Sequence, residues 1–301
     1  MTAAVEVEVE GRRLMLSNLE KVLYPAIGFT KAQVIDYYTR ISRVLVPHMR
    51  GRPLTLKRYP NGVDGKFFYE KNCPSHRPDW VKTAAVYSRQ NKADINFCLV
   101  EDVPTLVWAA NLASLELHTS LARADAIMQP TMVVFDLDPG APATIRECCA
   151  VALKLLQAFD ELGLKCFAKT SGSKGLQVYV PLNTGCTYEQ TKPFALAIAQ
   201  HLEALEPKLV LSNMKKELRT GKVFVDWSQN DDHKTTVCVY SLRARERPTV
   251  STPLTWDEVE AHHRGKLKTL AFTSDEVLER VERLGDLFAP VLELKQALPE
   301  L

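Results

Sequence analysis

Read for polarity alone, the chain opens on strict alternation: Val5 to Glu10 steps between apolar and acidic residues, and Arg12–Leu16 follows across Gly11. A period of two predicts a strand, and the glycine predicts a hairpin return. Ser17-Asn18-Leu19-Glu20 has the form of a capping box and predicts a short helix that Pro25 ends. From Thr30 the period lengthens. Val34, Tyr37, Ile41, Val44 and Leu45 fall on one helical face, with Thr30 as the cap. Pro53–Arg58 then predicts a strand, Asn61-Gly62 a turn, and Lys66–Glu70 a returning strand. Asp102–Leu121 carries the apolar positions of a buried helix, with His118 near its end.

The densest apolar run lies mid-chain, where Met132-Val133-Val134-Phe135 feeds Asp136-Leu137-Asp138 and stops at Pro139-Gly140. That pattern predicts a buried strand ending in a turn. Helical spacing over Thr144–Leu162, with Gly163 as the stop, leads to strands at Lys165–Lys169 and Leu176–Leu182 around Ser171-Gly172-Ser173-Lys174-Gly175. Strand, helix and strand in succession predict an α/β layer. Tyr188–Leu205 reads as a helix and Lys222–Asp226 as a strand ending in a carboxylate. Thr235–Tyr240 reads as a strand, and Thr273–Leu284 and Pro290–Leu298 as closing helices.

Composition narrows the class without naming an activity. With 46% hydrophobic and 25% charged residues, the 301-residue chain is a folded protein with a full core. A formal charge of +2 does not mark a nucleic-acid binder, so basic surface must be local, as in Lys215, Lys216, Arg219 and Lys222, or Arg243, Arg245 and Arg247. The acidic, alternating N-terminus is no signal peptide, and no apolar run nears the roughly 18–20 residues of a membrane span. A cytoplasmic protein without membrane contact is expected. Seven cysteines without a CxxC pair predict reduced, mostly buried thiols, and Cys73-Pro74-Ser75-His76 has no partner pair for zinc.

On a strand, Asp136 and Asp138 share a face, about 6–7 Å apart. Carboxylates so placed raise each other's pKa unless a cation neutralises them, and oxygen-only ligands favour Mg²⁺ or Mn²⁺. Two solvated aspartates at a strand end are the plain alternative. Asp226 closes its strand in the same way and offers a third carboxylate. The Ser171–Gly175 loop can bring N–H groups, a hydroxyl and Lys174 to an anion, although such a turn also serves as an ordinary hairpin.

With LSNLEKVLYP, FTKAQVIDYY, RGRPLTLKRYPNGVDGKFFYEKN, LASLELH, VFDLDPG, KTSGSKGLQVYVPL, KVFVDWSQND, KTTV and YSLRAR in order, the chain resembles the polymerase domain of bacterial DNA ligase D, in the archaeo-eukaryotic primase superfamily. The resemblance implies a mixed-sheet α/β primase-like polymerase fold over residues 1–301: a DNA 5′-phosphate-binding part to about residue 60, a catalytic core over about 61–260, and C-terminal helices over about 261–301. It implies catalysis by Asp136, Asp138 and Asp226 with two Mg²⁺ or Mn²⁺ ions. Nucleotide contacts would come from Lys57, His118, Ser171, Lys174, Arg219, Gln229 and Arg243, and a 5′-phosphate pocket from Asn18, Lys21 and Lys31. Phe67 and Phe68 would stack on bases. The implied activity is nucleotide addition, ribonucleotides preferred, to 3′-hydroxyl ends at gapped or broken DNA in non-homologous end joining, beside Ku and a DNA ligase and on the nucleoid. One departure stands out: Gln177 occupies the histidine position of the family pattern SGxxGxH. Two rivals remain, a haloacid-dehalogenase-like phosphatase suggested by VVFDLD and a non-catalytic DNA-end binder that recruits a ligase.

Overall fold

Two sheets, each with its own helices, organise the computed structural model, which describes residues 4–89 and 91–299. Contacts divide the chain into two interleaved units, with boundaries at Asp125, Lys234, Ser251, Ala271 and Gly285.

In the unit built from Ala126–Lys234, Thr252–Ala271 and Asp286–Leu301, the strand Met132–Pro139 runs through the middle of a six-stranded sheet. Leu176–Pro181 pairs with it antiparallel on one side and Val223–Asp226 antiparallel on the other. Phe167–Thr170 continues the first side, and Val210–Leu211 runs parallel along the second. The apolar half of Met132–Pro139 is fully buried, as its composition predicts. Phe135 meets Phe159 of the helix Ile145–Glu161 at 5.3 Å, so its neighbour Asp136 points to the other face of the pleat. Asn230 accepts from the Val134 amide and donates to its carbonyl, which ties the turn after Asp226 to this strand. The helices Ile145–Glu161 and Tyr188–Leu205 form where helical spacing predicts them, the first with a Thr144–Glu147 capping box.

In the other unit the sheet order is Thr236–Val237, Ser114–Thr119, Leu54–Arg58, Ala93–Cys98, Thr83–Ser88, with Phe68–Glu70 also pairing Leu54–Arg58. The N-terminal hairpin Val5–Val9 with Arg12–Leu16 and the helix Lys31–Met49, capped by Thr30 and Gln33, follow the polarity pattern.

Five expectations fail. Ser17–Glu20 forms a turn with Asn18 at φ 54 and no helix, and the chain enters the strand Val22–Tyr24 instead. The segment 102–121 is a helix only over Val103–Asn111; it breaks at Ala113, φ 56, and continues as the strand Ser114–Thr119, which carries His118. Short apolar runs fit a buried helix and a buried strand equally well, and pairing with Leu54–Arg58 decided this one. The closing helix covers only Pro290–Glu293, and the Thr235–Tyr240 strand only Thr236–Val237. Cys73 and Cys98 form a disulfide, because the Cys73 amide hydrogen-bonds the Asn96 carbonyl beside the end of the Ala93–Cys98 strand. The other five thiols are free, as expected.

Candidate active site

Register alone assembles the acidic site. Asp226 lies directly across from Asp136, and Gln177 is Asp136's partner on the opposite side. Lys169 is in turn across from Gln177. Directly opposed residues share a face, so Asp226, Asp136, Gln177 and Lys169 form one row across four strands, with Asp138 two residues along. Burial, then the charges of Asp138 and Asp226, push the Asp136 carboxyl up to about 7. Three carboxylates on one face, one of them forced toward neutrality, are a donor set that a hard divalent cation would relieve. The residues present fit such an ion.

Two of the three carboxylates are also held from behind. The Asp226 carboxylate accepts from Ser228 N at 3.0 Å, Ser228 Oγ at 2.6 Å and Gln229 Nε2 at 2.8 Å. Gln177 hydrogen-bonds Asp136 and accepts from Lys169 Nζ at 2.6 Å, and both Gln177 and Lys169 are buried. In place of a histidine charge, the row therefore holds a buried ammonium one residue further from Asp136, a contact that sequence reading missed. Arg219 stacks its guanidinium 3.9 Å over Phe224, the cross-strand neighbour of Asp138. Its Nε finds no acceptor among the described residues.

The glycine-serine loop lies against the same strand. A Cβ on Gly175 would sit 2.1 Å from the Leu137 carbonyl oxygen, so only glycine allows this approach. The loop's N–H groups turn inward, however. Ser173 N and Gly175 N donate to Ser171 Oγ, and Gly172 N donates to Thr170 Oγ1. Lys174 is exposed at its tip.

A second acidic group, Asp231, Asp232 and His233, has candidate ligand atoms within 4.8 Å of one another. The Asp136, Asp138 and Asp226 carboxylates do not converge that tightly among the described residues. We rank the sheet trio higher as a cation site, because Asp231 is already paired with Lys192 and His233.

The remaining candidates lie in the other unit. Asn18, Lys21 and Lys31 come together through backbone bonds from Lys21 N to the Asn18 carbonyl and from Lys31 N to the Lys21 carbonyl, at the N-terminus of the helix Lys31–Met49. Lys31 is lowered to about 8 by burial, then by the charges of Lys21 and Arg58. Cations crowded at a helix N-terminus suit a phosphate. Asn61, which accepts from Lys21 Nζ at 3.2 Å, is an addition that no sequence signal suggested.

Lys57, His118 and Arg243 also meet, around the buried Glu116. Glu116 and His118 alternate on one strand, and Lys57 is directly across from Glu116. The only hint in the sequence is a carboxylate inside the apolar run Leu115–Leu117. Phe67 and Phe68 are both exposed, Phe67 just before the Phe68–Glu70 strand, so neither is a core residue. Lys57 Nζ sits 4.4 Å over the Phe67 ring and Arg58 5.2 Å over Phe68.

The architecture and its acidic row define the class. The polymerase domain from Mycobacterium tuberculosis Ligase D, solved in complex with DNA, matches with a TM-score of 0.88 and 39% identity over 94% of this chain and 99% of that one. This is a primase-polymerase, a nucleotidyltransferase fold. The LigD primase-polymerase domain description matches residues 30–288, and the chain belongs to that family. The multifunctional non-homologous end joining protein LigD of Mycolicibacterium smegmatis is 44% identical over 281 residues, 93% of this chain and 36% of that protein. The bifunctional LigD of Bacillus subtilis is 31% identical over 274 residues, 91% of this chain and 43% of that one. The chain thus spans less than half the length of these relatives. Family membership removes the phosphatase reading of VVFDLD.

Proposed function

We propose that this chain is a DNA-repair polymerase that adds nucleotides, ribonucleotides by preference, to 3′-hydroxyl ends at gaps and double-strand breaks during non-homologous end joining. The observation that carries this reading is the shared face of Asp136, Asp138 and Asp226. Those three residues would hold two Mg²⁺ or Mn²⁺ ions, which when bound would supply positive charge for acidifying a 3′-hydroxyl and stabilising departing pyrophosphate.

The chain's own groups do the positioning. Gln177 orients Asp136, and Ser228 and Gln229 orient Asp226, which leaves Gln229 a carboxylate holder as well as a nucleotide contact. Ser171, Lys174 and Arg219 are proposed triphosphate contacts, and Lys57, His118 and Arg243 proposed nucleotide contacts. Asn18, Lys21 and Lys31 take the 5′-phosphate across a gap, and Phe67 and Phe68 stack on exposed bases, a contact open to any sequence. Ku and a DNA ligase are the proposed partners, on DNA in the cytoplasm.

The test is extension of gapped, 5′-phosphorylated DNA with Mn²⁺ and either UTP or dTTP opposite adenine. We expect extension, with UTP favoured about tenfold, a difference of about 1.4 kcal/mol that one hydrogen bond to the 2′-hydroxyl supplies. DNA binding without any extension would instead make the chain a recruiting module.

A further inference from the structure

Glu116 is a buried carboxylate for which the acidic site has no use. It is 2% exposed, and four hydrogen-bond donors and one ion-pairing guanidinium surround it. Its Oε1 faces Lys57 Nζ at 3.4 Å, the Tyr59 hydroxyl at 3.2 Å and the Ala244 amide at 3.2 Å. Its Oε2 faces His118 Nε2 at 3.0 Å and Arg243 Nε at 3.3 Å. Side-chain exposure is 12% for Lys57, 13% for His118 and 14% for Arg243, against 3% for Glu116. A ligand arriving at this surface therefore meets these three side chains and never the carboxylate.

The carboxylate also decides how His118 is protonated. Despite its burial Glu116 stays ionised, because His118, Arg243 and Lys57 hold its pKa far below the ordinary carboxylate value. An ionised carboxylate only accepts, so the proton between it and His118 sits on Nε2. In the neutral ring Nδ1 is then an acceptor. Burial favours that neutral ring. Lys57 is confined further by three rings, with its Nζ 4.4 Å from the Phe67 centroid and 5.4 Å from those of Tyr59 and Tyr69.

We propose that Glu116 is the positioning residue of the nucleotide-binding surface: it holds Lys57 and Arg243 in one arrangement and fixes His118 as the Nε2-protonated tautomer, leaving Nδ1 to accept from the ligand. This inference rests on reading Lys57, His118 and Arg243 as nucleotide contacts. It reverses the simplest expectation for His118, that of a donor to phosphate. An amide at position 116 would offer one acceptor oxygen to four donors and no charge to the Arg243 guanidinium, so the arrangement would loosen even in a folded protein.

Long-range ¹H–¹⁵N NMR of histidine-labelled wild type reads the tautomer directly, and Nε2–H is expected. Finding Nδ1–H overturns the proposal with no variant needed, so it stays falsifiable if Glu116→Gln does not fold. In folded Glu116→Gln, the single-tautomer pattern should be lost. Affinity for α,β-methylene-UTP with Mg²⁺ should fall about tenfold or more, and KM for UTP should rise while kcat changes less than about threefold; Glu116→Asp, which keeps the charge, should recover part of the affinity. Folded Glu116→Gln that keeps wild-type analogue affinity overturns the inference alone. Arg243→Ala separates the two layers: unchanged analogue affinity there removes this surface from nucleotide binding and overturns the functional reading together with the inference.

Discussion

Two carboxylate centres in this chain are built on opposite electrostatic plans. On the Met132–Pro139 strand, burial and the like charges gathered on one sheet face together drive Asp136 toward neutrality. Around Glu116, opposite charges gather on one carboxylate and hold it ionised despite burial. The first arrangement crowds like charges and is suited to an incoming cation. The second is complete in the protein alone, so it serves to hold its neighbours still. Burial raises both carboxyls, and the sign of the surrounding charges decides which of them stays ionised.

The sharpest way to break this comparison is through activity. Asp136→Ala or Asp226→Ala should lower nucleotide addition on the order of a thousandfold, several kcal/mol of transition-state charge stabilisation, while DNA affinity stays within about twofold because lysine and arginine contacts dominate it. Extension and gel-shift assays on the same preparations check this. Near-normal extension by Asp226→Ala would remove that residue from the acidic centre.

Stability should separate the centres by sign. In EDTA at pH 8, Glu116→Gln should cost about 3 kcal/mol, since it leaves buried cations uncompensated. The equivalent change Asp136→Asn should instead raise stability by roughly 1–2 kcal/mol, since it removes a crowded charge. The pH windows differ accordingly. The Asp136 carboxyl is raised to about 7 from 3.8, so the advantage of the Asp136→Asn variant is absent below 3.8 and complete above 7. Glu116 is depressed, so its contribution is complete above its ordinary value of 4.5 and lost only as pH falls below that. Urea melts at pH 4 and pH 8 provide the measurement, and equal signs for the two variants would sink the distinction.

Away from both centres, the double change Lys21→Ala, Lys31→Ala should reduce affinity for 5′-phosphorylated gaps about tenfold to a hundredfold, to the 5′-hydroxyl level, and leave a simple primer overhang unaffected. The smallest effect expected is a pH dependence of that preference. Lys31 titrates near 8, and a bound phosphate favours its ammonium, so binding above pH 8 takes up a proton. Preference for the 5′-phosphate should fall about fivefold to tenfold from pH 7 to pH 9, a range in which the phosphate itself keeps its charge. A flat profile would mean Lys31 is not in contact with the phosphate.

Much of the acidic centre was legible in the sequence. Alternation puts Asp136 and Asp138 on one face of any strand, and an apolar run ending in Asp226 announces another strand of the same kind. The glycine-serine loop was legible as a turn, but not its inward hydrogen bonds, because the hydroxyls that satisfy its N–H groups are interchangeable on paper. Glu116 was barely legible: apart from His118 two residues along, its partners come from positions 57, 59, 243 and 244, and no local period connects those. The same blindness turned Ser114–Thr119 into the tail of a helix.

By itself, then, the sequence determined whatever depends on near neighbours: periods of two and 3.6, caps at Thr30 and Thr144, the carboxylates of VFDLD, and a family pattern long enough to name. Tertiary structure decided what depends on register between distant segments. It set Asp226 across from Asp136, reached Asp136 through Gln177 with the buried Lys169 behind, and sealed Glu116 beneath Lys57, His118 and Arg243. The physical reason is range. Dihedral preference and side-chain alternation act within a few residues, whereas charge and hydrogen bonding act through space, between whichever residues the sheet brings together.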